Sequence, residues 1–414
     1  MTRGSRTYCQ KKIRPASLPG GRDDAVKDDS VSKEGTAHAL RRAQVSYRDA
    51  GAVAQLCAAL GPGPLSLVAL FVSSGADFPQ VIAEAEAAFP GTDVMACTTA
   101  GEIGADGYEE GMIVAIGLPA DHFASRTLLI EDLNDQHTQA VLDRVSLDRV
   151  AVQERHEDKR QGFAFLMVDG MSLREDTLAA TIAPALRDMP LFGGSAGDGL
   201  DFQHAWVALN GKIRENAAVL SLIQTNHLTH VFSIDHLVPS EEQMVVTDAD
   251  PDRRIVKEIN AEPAAREYAR IVGKDPDQLD QFTFASHPVV VRIGNSHHVR
   301  AIQQVNEAGE LVFFAAIDEG MVLTLADPEP LAAHLQRKLS ELDAAGQLID
   351  IVGCDCILRR IEAEQTQVTR QMSEILARHK VIGFSTYGEQ IGPLHVNHTM
   401  TGVAIYANPE AGRN

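Results

Sequence analysis

Thr99-Ala100-Gly101-Glu102 is a hydroxyl residue, a spacer, a glycine and a carboxylate. The same order returns at Ser195-Ala196-Gly197-Asp198 and at Thr386-Tyr387-Gly388-Glu389. An apolar run precedes each: Leu67 to Val72, Phe163 to Val168, Leu348 to Val352. A helix-like segment lies between run and turn, and a second apolar run follows: Met112 to Ile116, Ala217 to Ile223, Thr401 to Tyr406. Short apolar runs of this kind read as strands buried on both faces. Three matches in one flanking order point to a diverged repeat of strand, helix, turn and strand. The expected fold is α/β (mixed α+β), with layered mixed sheets flanked by helices.

Composition narrows the function. The chain has 414 residues, 44% hydrophobic and 23% charged, which is ordinary globular usage. Its net charge of -20 argues against a nucleic-acid binder, which needs clustered Lys and Arg. No apolar run approaches the ~20 residues of a membrane span. Five cysteines without a secretory signal suit a reduced cytoplasm. Residues 1–35 read as a disordered leader.

Between the turns, residues 35–60 show helical spacing, with Ala39, Leu40, Ala43, Val53 and Leu56 on the inner side. Phe78 to Phe89 and Arg174 to Asp188 read as helices. Asn210-Gly211 between two apolar runs predicts a hairpin. Ile255 to Gly273 reads as a helix. Phe282 to Ile293, Val299 to Gln304 and Leu311 to Phe314 form an antiparallel meander inserted before the third unit. Leu331 to Ala345 and Ile361 to His379 read as helices, the second with a charged, solvated face that is one candidate partner surface.

The chemistry sits in the turns. Glycine lets the backbone approach a ligand, and the adjacent acid can accept hydrogen bonds from an amine or hydroxyl. Thr99, Gly101, Glu102, Ser195, Gly197, Asp198, Thr386, Gly388 and Glu389 are therefore candidate ligand-binding residues, with the three acids expected to face one cleft. The alternative is that each acid pins its own turn. Ser195, flanked by Gly193 and Gly197, has the lettering of a nucleophile elbow, but it follows a helix and precedes a hairpin, so a hydrolase is disfavoured. Cys354 and Cys356 lack a second pair at zinc spacing. His297 and His298 read as a surface turn. His395 and His398, three apart, would face opposite sides of a strand. The histidines 204, 227, 230, 236 and 287 show no ligand spacing.

Together, Leu67 to Ser73, Cys97-Thr-Thr-Ala-Gly-Glu102, Phe192-Gly-Gly-Ser-Ala-Gly-Asp198, Ile259-Asn260 with Pro263-Ala264, Gly383-Phe-Ser-Thr-Tyr-Gly-Glu389 and His395-Val-Asn-His-Thr399 resemble the FIST family. Residues 60–260 resemble its N domain and 261–408 its C domain, with His398 departing from the amide-like residue expected there. The resemblance implies a non-enzymatic small-ligand sensor, with amino acids among the proposed ligands. It is similar to stand-alone nitric-oxide-sensing members, which implies a b-type haem and a histidine kinase partner regulated in trans, feeding cyclic-di-GMP or biofilm signalling. His287, His297, His395 and His398 are the candidate haem ligands under that implication.

Overall fold

The computed structural model describes residues 38–134, 138–294 and 296–409. The leader reading at 1–35 lies outside them. The described residues form one compact unit.

The first repeat runs β1 (Arg41–Ser46), α1 (Ala52–Leu60), β2 (Leu65–Ser73), α2 (Phe78–Ala88), β3 (Asp93–Thr99), a hairpin of β4 (Glu102–Gly104) and β5 (Gly107–Glu109), then β6 (Met112–Pro119). The second has the same order: β7 (Phe123–Ile130), α3 (Thr138–Arg155), β8 (Gln161–Asp169), α4 (Glu175–Leu186), β9 (Leu191–Ala196), hairpin β10 (Val207–Leu209) and β11 (Lys212–Arg214), β12 (Ala218–Thr225). The third opens with β13 (Leu228–Ile234). An antiparallel sheet then intervenes, made of β14 (Leu237–Asp250), β15 (Ile255–Ile259), β16 (Glu262–Pro263), β17 (Val289–Ile293), β18 (Ser296–Val299), β19 (Ile302–Val305), β20 (Leu311–Phe313) and β21 (Val322–Pro328). It carries α5 (Ala264–Val272) and α6 (Gln281–Ser286). The repeat resumes with α7 (Leu331–Ala344), β22 (Leu348–Cys356), α8 (Ile357–Gln365), α9 (Thr369–Arg378), β23 (Val381–Thr386), hairpin β24 (Glu389–Ile391) and β25 (Leu394–Val396), and β26 (Met400–Tyr406).

In every repeat two parallel strands sit beside an antiparallel return: β2 pairs β3 and β6, β8 pairs β9 and β12, β22 pairs β23 and β26. The hairpins do not stay at home. β4 pairs β23 of the third repeat, β10 pairs β3 of the first, and β24 pairs β9 of the second. The exchange is cyclic, so each of the three six-stranded sheets is completed by another repeat. The inner faces meet in one core where Phe71 stacks on Phe384 at 4.7 Å and meets Phe165 edge-on at 6.4 Å. Aromatic pairs of this geometry add to the stabilisation from burial.

The exchange also sets the true register of the repeat. Ala100 N–H donates to Ser385 O, Tyr387 N–H to Ser195 O, and Gly197 N–H to Thr98 O. Thr98, Ser195 and Ser385 are thus equivalent, and Thr99 matches Ala196 and Thr386. The sequence alignment of Ser195 with Thr99 is one residue out. Thr98 N–H and Ser385 N–H donate to Trp206 O and Gly101 O, so Val207 stands where the first and third repeats place Glu102 and Glu389. Residues 198–205 are an extra loop. The hydroxyl–carboxylate pair therefore occurs in two joints, and the second joint is apolar.

Local readings also change. Residues 41–46 are strand β1, because they pair with β6 along its whole length. Residues 255–259 are strand β15, sheltered between β14 and β20, and helix starts only at Ala264. Residues 281–286 form helix α6, capped by the Asp280 side chain accepting from Thr283 N–H at 2.8 Å. The charged helix near the C-terminus is two helices broken at 366–368, where Gln367 has φ 59°. His297 lies on strand β18 rather than in a turn.

Candidate functional site

The first joint opens on a cleft of about 630 Å³ lined by Thr99, Gly101 and Glu102, by Glu110, by Gly199 and Leu200 of the extra loop, and by α8. β3 delivers Thr99 to its floor. Thr99 Oγ1 donates to Glu102 Oε1 at 2.5 Å and Met112 N–H to Oε2 at 3.0 Å. Glu102 is fully buried, and burial pushes its carboxyl up to about 7, against the hydrogen bonds from Thr99 and Met112. It therefore exchanges a proton near neutrality.

Gly101, at φ 134°, leaves room for Arg360 of α8. A Cβ built there would stand 2.0 Å from Arg360 Nη1. The guanidinium stacks 5.5 Å from the Tyr108 ring, donates from Nη1 to Glu109 O at 3.2 Å and from Nη2 to Glu110 Oε1 at 2.8 Å. Its side chain is 8% exposed, while that of Glu110 is 78% exposed. Ile357 and Ile361 add an apolar wall. The cleft thus combines a fixed cation, several carboxylates, hydroxyls from Ser46, Ser73 and Ser74, and an apolar side.

The third joint repeats this chemistry in a closed setting. Thr386 Oγ1 donates to Glu389, and both are fully buried. Burial pushes the Glu389 carboxyl well above the usual range. Here Gly388 faces His395, whose Cε1 lies 2.3 Å from where a Cβ would be. The inserted sheet seals the joint: Arg300 Nη1 donates to His395 O at 3.1 Å, and Ala301 and Phe314 pack near Tyr387. Arg254 anchors the sheet on α4 through Glu175 at 2.5 Å and Asp176 at 3.1 Å. At the second joint, Asp198 takes the Tyr387 hydroxyl and the backbone N–H groups of Gln203 and His204. It holds the extra loop, and these hydrogen bonds lower its carboxyl despite burial. Glu102, Asp198 and Glu389 therefore do not line one cleft. Ser195 is fully buried, accepts from Gln390 Nε2 at 3.0 Å and lies within β9, not at an elbow.

Sequence reasoning placed no ligand-site residue on α8, naming only the face from Ile361 to His379 as a candidate partner surface. Arg359, next to the cleft arginine, is fully buried; it donates to Asp355 Oδ1 at 2.6 Å and to His236 Nδ1 at 3.2 Å. His236 Nε2 and His398 Nε2 each lie 2.9 Å from Glu362 Oε2. Burial alone would raise Glu362, but these hydrogen bonds hold it at about 2, while burial lowers His236 to about 4. Two histidines and a carboxylate could in principle hold a metal. The guanidinium decides otherwise: it only donates, so His236 Nδ1 accepts and Nε2 carries the proton. A metal on Nε2 would turn an Nδ1–H into Arg359, whereas ligating histidines donate that proton to an acceptor. The group is a hydrogen-bonded latch between α8 and the root of the inserted sheet. An Asp355-x-x-x-Arg359 pair at i,i+4 was its available signal.

The four candidate haem-ligand histidines sit in separate settings. His297 is exposed on β18, and His287 Nδ1 lies 3.1 Å from Thr283 O. His398 is committed to Glu362. His395 Nε2 has no partner among the described residues, yet the Gly388 backbone and Asn397 stand against it. None of the four lines the 630 Å³ cleft or the 730 Å³ groove beside β13.

A FIST N domain model matches residues 66–262 and a FIST C domain model residues 264–392. The chain belongs to the FIST family. FIST domains are sensory domains that bind small ligands. The two matches meet inside the inserted sheet, and the FIST N joint at Gly101 is completed by β23 and α8 from the FIST C region. No curated protein sequence shows significant similarity to the chain. No helix among the described residues is long and apolar enough to cross a membrane.

Proposed function

We propose that this FIST protein is a non-enzymatic cytoplasmic sensor whose first-joint cleft binds a small zwitterion of amino-acid type. The supporting observation is Arg360, almost wholly buried in the Gly101 cradle yet lining the open cleft. A guanidinium held this way receives a carboxylate in a fixed orientation. Glu110 and Glu364 stand close enough to receive an ammonium group, and Ile357 and Ile361 face the side chain. Arg359 and Glu362 share the same helix as Arg360 and reach the root of the inserted sheet, so α8 is the element through which binding reaches that sheet. A histidine kinase acting in trans is the output that the resemblance to stand-alone members suggests.

Titration calorimetry with a panel of amino acids tests this. Binding of at least one, reduced tenfold or more by Arg360→Ala, is expected. A panel that binds nowhere, or binding indifferent to Arg360, overturns it. The nitric-oxide reading has its own check: a Soret band in haem-reconstituted protein that moves with nitric oxide would replace the zwitterion proposal.

A further inference from the structure

Glu110 is the outlier in the cleft. It is 78% exposed, sits in the bend between β5 and β6, and still places Oε1 2.8 Å from Arg360 Nη2. Arg360 Nη1 is taken by Glu109 O and its Nε lies 3.8 Å from Glu364 Oε1. Among the described residues, the shortest side-chain contact of this arginine is therefore to an exposed carboxylate at the cleft. The attachment to a buried guanidinium is short, while the acid itself faces solvent.

We infer that Glu110 is an exchangeable stand-in for the ligand carboxylate and the selectivity filter of the cleft; this rests on the zwitterion reading above. In the empty state Glu110 neutralises Arg360. A ligand carboxylate displaces it, and the released Glu110 carboxylate turns to the ligand's ammonium group. A plain carboxylate meets only the first half of this exchange: it must compete with an intramolecular acid at high effective concentration and offers nothing to the acid it evicts. A zwitterion compensates for the lost ion pair with a new one. Selection against simple carboxylates thus comes from a competing contact as much as from an attractive one.

The test compares L-leucine with its deaminated analogue 4-methylpentanoate by calorimetry on the full chain and on Glu110→Gln. Glu110 is exposed and the amide keeps its shape, so the variant folds; circular dichroism and the melting temperature verify it. The expected result is that the full chain prefers leucine, and that Glu110→Gln erodes the preference at least fivefold. The analogue should bind about two- to fivefold tighter, the range of an exposed ion pair no longer competing. Leucine binding with an unchanged preference overturns the exchange alone. Weaker binding of both probes to the variant makes Glu110 a plain ligand contact and also overturns it. If neither probe binds either protein, while other amino acids bind through Arg360, the apolar side-chain choice fails and the exchange fails for this pair. If no amino acid binds at all, the parent reading falls first.

Discussion

The first and third joints carry the same residues in the same hydrogen bond and end in opposite roles. Thr99 and Glu102 lie at the floor of an open cleft, whereas Thr386 and Glu389 are sealed beneath the inserted sheet. Gly101 makes room for the tip of a long arginine, and Gly388 for a buried imidazole. The hydroxyl–carboxylate pair is therefore the structural joint of the repeat. Access to ligand depends on what the neighbouring repeat and the insertion place over it.

Four measurements press on this contrast, beginning with the largest effect. Adjacent arginines of α8 divide between the two settings. Arg359→Ala strands Asp355 as a buried charge and should cost about 3–5 kcal/mol in urea unfolding. Arg360→Ala should cost about 1 kcal/mol or less, since its partner Glu110 is exposed. Equal costs would dissolve the distinction. Second, one substitution placed in both joints should split. Gly388→Ala, against His395, should destabilise by about 3 kcal/mol through overpacking and strain. Gly101→Ala should cost about 1–2 kcal/mol of backbone strain, because Arg360 can swing away, and should weaken ligand binding instead.

Third, the open joint should be pH-sensitive. The folded-state carboxyl of Glu102 lies at about 7, above its ordinary 4.5. The native state therefore holds the proton over the window from about 4.5 to 7, and Glu102 erodes stability as pH rises through it. The loss is complete above pH 7 and amounts to at most about 3 kcal/mol. Glu102→Gln should shrink the difference in unfolding free energy between pH 5 and pH 8 by up to that amount; an unchanged difference would place the titration elsewhere. Smallest, Tyr387→Phe removes the hydroxyl that ties the third joint to the extra loop at Asp198 and Gly199. It should cost about 1 kcal/mol and speed amide exchange in residues 198–205. No change in exchange would detach the loop from the third joint.

Much of the backbone was legible. β2, β6, β8 and β26 are continuous apolar runs, and α2, α4 and α7 show helical spacing over three turns or more. The errors fell where spacing was short or mixed. Residues 41–46 and 255–259 alternate too briefly to separate strand from helix, and pairing partners far along the chain decided for strand. The near-match at Ser195 arose because Ser195-Ala196-Gly197-Asp198 copies the letters of the joint one position early; only the hydrogen bonds from Gly197 N–H to Thr98 O and from Tyr387 N–H to Ser195 O reveal the slip. The cleft was half visible, in Thr99, Gly101 and Glu102. Its other half, Arg360 and Glu110, comes from residues whose charge read as ordinary surface.

By itself, the sequence determined that there are three strand–helix–strand units, because burial on both faces demands unbroken apolar runs, and that a glycine and an acid mark the first and third joints. Tertiary structure alone decided which joint opens to a ligand. Three-residue hairpins carry too little pattern to name their partner sheet, and they complete a neighbour's sheet instead of their own. The buried arginines follow for the same reason: a charge is tolerated inside only where distant residues, His236 for Arg359 and the Gly101 cradle for Arg360, meet it in space.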